Sequence, residues 1–165
     1  MGTRKRSQAR MLAVQALCLF DAAGEAFRQE LDDFLADTTN HADLGWHRPP
    51  DPAVLNFARQ LALGAWEHRR AADELLQMHV PDWSIERMQP ADRNILRLGV
   101  YELREQPQTP PAVVLNEAVE LARQFGGNES AAFVNGVLDA LRRALHDQGQ
   151  PDRTSRTTGG GQEVV

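Results

Sequence analysis

Few residues in this chain have the types and spacing that catalysis needs. The five histidines, His41, His47, His68, His79 and His146, are scattered, and no two lie three to five residues apart on a helix with a carboxylate between them. Nothing in that pattern points to a metal site. Cys18 lies in an apolar stretch with no base near it in sequence, the setting of a structural thiol and not of a nucleophile. A glycine loop that cradles phosphate follows a strand, and no strand pattern is found, so Gly126 and Gly127 read as a helix stop. Glu117 and Glu120 share one helix face, the usual sign of a solvated surface. No catalytic residue, metal ligand or cofactor is expected, and an enzyme is the disfavoured class.

Two other groups of residues carry binding chemistry. Arg4, Lys5, Arg6 and Arg10 fall within the first twenty residues, which contain no acid, whereas the whole chain has a formal charge of −5. A basic end on an acidic body suits an anion such as nucleic acid or a membrane surface; a solvated, frayed terminus is the plainer alternative. The conflict is sharper if these cations open a helix, because a helix N-terminus is already positive and an external anion would relieve it. The second group lies on the last helix. On a helical wheel Val134, Val137, Leu138, Leu141 and Leu145 form the apolar stripe, Phe133 sits at its edge, and Glu129, Gly136 and Ala140 lie beside Phe133 on the solvent side. An aromatic ring next to an acid and small residues makes a candidate docking patch.

The elements that position these groups are helical throughout, so the fold class is all-α. Residues 7 to 21 are apolar on nearly every side, which predicts a central buried helix with the basic start projecting from the body. A second helix is expected over 25 to 37, then a loop from Asp37 to Asp51. Asp51 caps a helix with Pro52 at its first position, continuing with a kink near Arg70 to about His79, where Pro81 stops it. After a connector from Pro81 to Gln89, helices are expected from Pro90 to about Glu105, from Val113 to Phe125, and from Asn128 to about His146. The length of 165 residues fits one domain, divided into subdomains of about 1–80 and 81–147, followed by a disordered tail over 148–165 rich in glycine and threonine. No apolar run approaches the roughly 20 residues of a membrane span, and no signal peptide is read, so a cytoplasmic protein is expected.

Two segments are specific enough to suggest relatives: PADRNILRLGVYEL from Pro90 to Leu103, and PPAVVLNEAVELARQFGGNESAAFVNGVLDAL from Pro110 to Leu141. Together with the basic start and AVQALCLF at Ala13 to Phe20, they make the chain resemble the NusB family of bacterial transcription antitermination factors. The likeness spans about residues 4 to 145 and is weakest between Asp21 and Pro50. It implies a bundle of about seven helices in two packed subdomains and no enzymatic activity. It also implies binding to the boxA leader RNA of ribosomal RNA operons together with NusE, a protein of the small ribosomal subunit. Through that binding the RNA polymerase antitermination complex would read through terminators.

Carried over residue by residue, the resemblance places RNA contacts at Arg4, Lys5, Arg6, Arg10, Gln15, Cys18 and Arg97. Relatives often continue the basic run where Ser7 and Gln8 stand here, which implies fewer phosphate contacts, and often carry an aromatic at Cys18. Partner contacts fall at Asp92, Glu129 and Phe133, the last two already brought together by the helical wheel. Some members self-associate, which adds a homodimer to the implied partners. The alternative function is a helical protein-interaction module without sequence-specific RNA binding. An rRNA-modifying enzyme would need a dinucleotide- or cofactor-binding fingerprint that these residues lack.

Overall fold

A computed structural model of the chain describes residues 1–149. They form eight α-helices and two short 3-10 segments: α1 Thr3–Ala23, a 3-10 segment Gly24–Gln29, α2 Leu31–Leu35, α3 Thr38–Asp43, α4 Pro52–Glu67, α5 Arg69–His79, a 3-10 turn Ile85–Arg87, α6 Pro90–Glu105, α7 Pro111–Gly126 and α8 Asn128–Gly149. The protein is all-α, as its hydrophobic periodicity predicts. The disordered tail expected over 148–165 falls, from residue 150 onward, outside the described residues; Gln148 and Gly149 complete α8.

Helix α1 is central because it is apolar on most sides. Leu12, Ala13, Val14, Ala16, Leu17 and Phe20 are buried, and the helix packs against α4, α6 and α7. It begins at Thr3, so the basic residues are themselves helical and form its first turns. Gly24 ends it at φ +71, a left-handed conformation that glycine adopts without the penalty a Cβ would bring. The second helix expected over 25 to 37 is instead split. Phe27 is drawn onto Phe20, edge to face at 4.9 Å, and the connector that brings it there is a 3-10 segment of six residues, longer than 3-10 geometry usually runs. Phe20 also stacks on Trp66 of α4 at 4.9 Å, so three aromatic rings fix how the first subdomain closes.

The stretch from Asp37 to Asp51, expected as a loop, contains α3. Asp37 accepts a hydrogen bond from the Thr39 backbone N–H at 2.8 Å, an N-cap signal outweighed in the sequence by the many turn-forming residues after it. The true loop is 44–51, and Asp51 closes it by accepting from the Ala53 N–H at 3.0 Å, with Pro52 at the first position of α4. The break expected near Arg70 falls at His68, between α4 and α5.

The second half is a hairpin of α7 on α8, with α6 laid across both and onto α1. Helix α6 is buried from Asn94 to Val100 and again at Glu102, not merely along one stripe. It is therefore a second central helix beside α1, and one continuous apolar core runs through both halves of the chain. On α8, Val134, Val137, Leu138 and Leu141 are buried.

Candidate nucleic-acid and partner interfaces

The basic run at the start of α1 divides into exposed members, on the turn that extends beyond the body, and one buried member further along. Arg4, Lys5 and Arg6 are exposed. The helix offers no acid in its first turn and no side-chain cap on Gly2, so the unpaired N–H groups add to their positive field. Lys5 leans onto Asp51 at 2.8 Å, and that ammonium, with the Ala53 N–H, holds the Asp51 carboxyl below the usual range.

Arg10, about one turn on from Arg6, faces inward. Its side chain is 1% exposed and grips Glu102 of α6, itself 3% exposed, through Nε at 3.0 and 3.1 Å and Nη2 at 2.8 Å. Glu117 of α7 lies 3.8 Å away and accepts a hydrogen bond from Ser7 at 2.9 Å. Sequence reasoning groups Arg10 with the RNA contacts. In this structure the guanidinium joins α1 to α6 and presents almost nothing to solvent.

Arg97, also grouped with the RNA contacts, is likewise engaged internally. It pairs in fork-to-fork fashion with Asp73 of α5 at 2.7 and 2.8 Å and reaches Asp21 at 3.1 Å. Burial disfavours its charge, but the Asp73 and Asp21 carboxylates outweigh that and raise its pKa. Asp21 is the centre of this network, taking Arg93 at 2.6 Å and Asn94 at 3.0 Å as well. Burial works against its ionisation, yet the hydrogen bonds from Arg93, Asn94 and Arg97 prevail and hold its pKa low. The cleft beside Arg97 is also lined by Asp21, Asp73, Glu74 and Glu86, a setting that repels a phosphate backbone.

Cys18 is half-buried next to Asn94, 3.7 Å from its amide nitrogen. Burial is the main reason its thiol is pushed up, with Asp21 adding to the effect. Gln15 and Asn40 exchange hydrogen bonds at 2.8 and 3.2 Å, tying α3 to α1. Of the seven residues assigned to RNA, the structure thus keeps Arg4, Lys5 and Arg6 together on an open surface and engages Arg10, Gln15, Cys18 and Arg97 internally.

The three partner residues come together at the start of α8. Ser130, next to Glu129, donates to Asp92 of α6 at 3.2 Å, while the other Asp92 oxygen is buried with no partner. Gly126 permits this approach: a Cβ there would lie 2.3 Å from the Ser130 hydroxyl and 3.3 Å from Asp92. Glu129 is exposed in the first turn of α8, where the helix dipole favours an acid. Phe133, one turn later, is half-buried and tilts against Trp83 with ring centroids 5.3 Å apart. Trp83 is 57% exposed. Sequence reasoning missed Trp83, although a tryptophan in a polar connector between Pro81 and Pro90 has no helix stripe to join and is a signal in itself. The result is an exposed apolar surface with an acidic rim, suited to a protein partner with an apolar anchor and basic flanks.

Among the described residues no group of three histidine, cysteine or acidic side chains is placed to hold a metal, and no helix is long and apolar enough to cross a membrane. The fold and these surfaces define a helical binding protein. The model of the NusB family matches residues 7–143. The transcription antitermination protein NusB of Myxococcus xanthus is 39% identical over 148 residues, covering 88% of this chain and 99% of the relative. That of Geobacillus kaustophilus is 40% identical over 141 residues, covering 86% and 98%. Among solved structures, a crystal structure of the antitermination factors NusB and NusE in complex with dsRNA aligns with a TM-score of 0.70 at 27% identity, covering 87% of this chain and 99% of that one. NusB of T. maritima aligns at 0.65 and 30% identity, covering 84% and 90%. The chain belongs to the NusB family, and with that membership goes a role in transcription antitermination.

Proposed function

We propose that the protein binds the boxA leader RNA of ribosomal RNA operons jointly with NusE, and so helps RNA polymerase in the cytoplasm to read through terminators. The observation that carries this reading is the separation of two surfaces with different chemistry. Arg4, Lys5 and Arg6 crowd the uncapped, positive start of α1, while Phe133, Trp83, Glu129 and Asp92 form an apolar and acidic patch on other elements. The first suits phosphates; the second suits a protein. The solved NusB–NusE–RNA complex, which aligns with most of this chain, supports the pairing of the two roles.

In this reading Arg4, Lys5 and Arg6 meet RNA directly. Arg10 and Arg97 act behind them, holding α1 against α6 and α5. Three phosphate contacts to a single strand give a salt slope of about −2 in log affinity against log salt.

Fluorescence anisotropy on boxA RNA and on a scrambled RNA, with and without NusE at two salt concentrations, tests the proposal. Selective binding that tightens with NusE is expected. Equal, salt-erased binding to both RNAs, indifferent to NusE, would leave the protein-interaction module. That reading draws on the small number of exposed cations at the start of α1, since Arg10 is buried.

A further inference from the structure

We propose that the cleft between the first turns of α1 and the loop 44–51 is a nucleotide subsite, taking one base of a single-stranded RNA and a phosphate beside it. This rests on the reading of α1 as an RNA-binding end and extends it to residues of a different element. The cleft has a volume of about 630 Å³ and is lined by Arg4 and Lys5 from α1 and by Trp46, His47, Arg48 and Asp51 from the loop, among others.

Each part of a nucleotide finds its chemistry there. Arg4 and Arg48 are exposed, and among the described residues neither forms an ion pair, so both guanidinium groups are free for phosphate. The one acid of the lining, Asp51, is already taken by Lys5 at 2.8 Å and by the Ala53 N–H at 3.0 Å. Half-buried Trp46 and exposed His47 line the same cleft, and aromatic rings of this kind are the sequence-tolerant platform on which single-stranded bases stack. With three cations against one paired acid in its lining, the cleft suits an anionic ligand.

The loop is also held in place before any ligand arrives. Trp46 packs on His41, rings 5.5 Å apart and 26° from parallel, and His41 is buried and donates from Nε2 to the Leu35 carbonyl at 2.8 Å. The Gln15–Asn40 bonds fix α3 to α1, and the Lys5–Asp51 pair fixes the far end of the loop. Pro49 and Pro50 limit the loop's freedom further. A strand following the basic start of α1 would meet this preset loop with little ordering cost.

The test uses the full chain and fluorescein-labelled boxA RNA, comparing wild type with Arg48→Ala, Trp46→Ala, Trp46→Phe and the pair Arg4→Ala, Arg6→Ala. Arg48→Ala, at an exposed side chain, is expected to weaken binding severalfold and to flatten the salt slope by about 0.7. Trp46→Ala is expected to weaken binding about 5- to 150-fold, with Trp46→Phe restoring most of it. Circular dichroism melts show whether Trp46→Ala stays folded, and Arg48→Ala decides if it does not. Wild-type affinity and slope in Arg48→Ala, while the Arg4→Ala, Arg6→Ala pair loses RNA, would overturn the subsite and leave the α1 reading standing. Absence of RNA binding by the wild type would overturn both.

Discussion

The buried pair between Arg10 and Glu102 gives the sharpest prediction. Both side chains are almost fully withdrawn from water, at 1% and 3% exposure, and three nitrogen–oxygen distances fall between 2.8 and 3.1 Å. Replacing Arg10 with alanine leaves the Glu102 carboxylate in the core with no counter-charge. Breaking a pair so buried costs about 3–5 kcal/mol, because the remaining ion bears its desolvation alone. For a domain of this size each kcal/mol lowers Tm by about 2–4 °C, so a fall of about 6–20 °C is expected. Arg10→Lys should lose much of the same stability, since an ammonium cannot reproduce the guanidinium fork. The double replacement Arg10→Met, Glu102→Leu removes both ions and should recover most of the loss. Urea denaturation of the four proteins measures this. A loss below about 1 kcal/mol in Arg10→Ala would refute the burial argument, as would a double variant no better than the singles. A second readout separates structure from RNA contact. At a temperature where Arg10→Ala is folded, its RNA salt slope should equal the wild-type value; a drop of about 0.7 would mean that Arg10 reaches phosphate after all.

Other consequences follow from the same geometry. Phe133→Ala should abolish NusE binding with only a modest loss of stability, and Trp83→Ala should weaken NusE binding with almost none, because its ring is 57% exposed; calorimetric titration and melts read both, and global unfolding of Phe133→Ala would place that ring in the core. Asp21 is more acidic folded than unfolded, so its contribution is fully present above about pH 4 and fades as pH falls through its lowered pKa. The Tm gap between wild type and Asp21→Asn should accordingly shrink on acidification below about pH 4, and a gap constant from pH 7 to pH 2 would contradict the network. The raised pKa and partial burial of Cys18 predict alkylation by iodoacetamide at pH 8 at least about tenfold slower in the folded chain than in urea; equal rates would mean an exposed thiolate.

Helix positions were legible in the sequence wherever an apolar stripe met a stop signal. Pro52, Pro90 and the Gly126–Gly127 pair mark boundaries that the structure keeps to within a residue or two. The segment from Gly24 to Asp43 was not, because its elements are only five or six residues long and are set by the contacts of Phe27, Leu31 and Leu35, not by periodicity. The candidate site shows the same division. Phe133 and Glu129 share one helix, so a wheel finds them, whereas Trp83 reaches Phe133 from a connector about fifty residues away in sequence. Arg10 is indistinguishable from Arg4 and Arg6 by residue type. Only the partner Glu102, ninety-two positions later, turns it inward.

Helix α6 explains why these internal ion pairs matter to two separate surfaces. Near its start Asp92 joins the first turn of α8 through Ser130. In its middle Asn94 and Arg97 meet Asp21 at the end of α1. Near its end Glu102 takes Arg10 close to the beginning of α1. Asp92 and Glu102 are ten residues apart, about 15 Å along the helix. The helix therefore works as a strut, fastened to α1 at two points and to the partner patch at a third. A buried ion pair adds little net stability over an apolar one, but its directional bonds fix the rotation of α1 about its own axis. With Arg10 turned inward, Arg4 lies about 120° away round the helix and faces solvent, while Arg6, only about 40° away, is exposed because it sits a turn nearer the free end. The apolar replacement Arg10→Met, Glu102→Leu should therefore restore Tm while leaving the orientation of the basic end less sharply defined. A double variant as stable as wild type, yet weaker on boxA RNA at an unchanged salt slope, is the outcome this role requires; wild-type RNA affinity in that variant would show that packing alone sets the helix rotation.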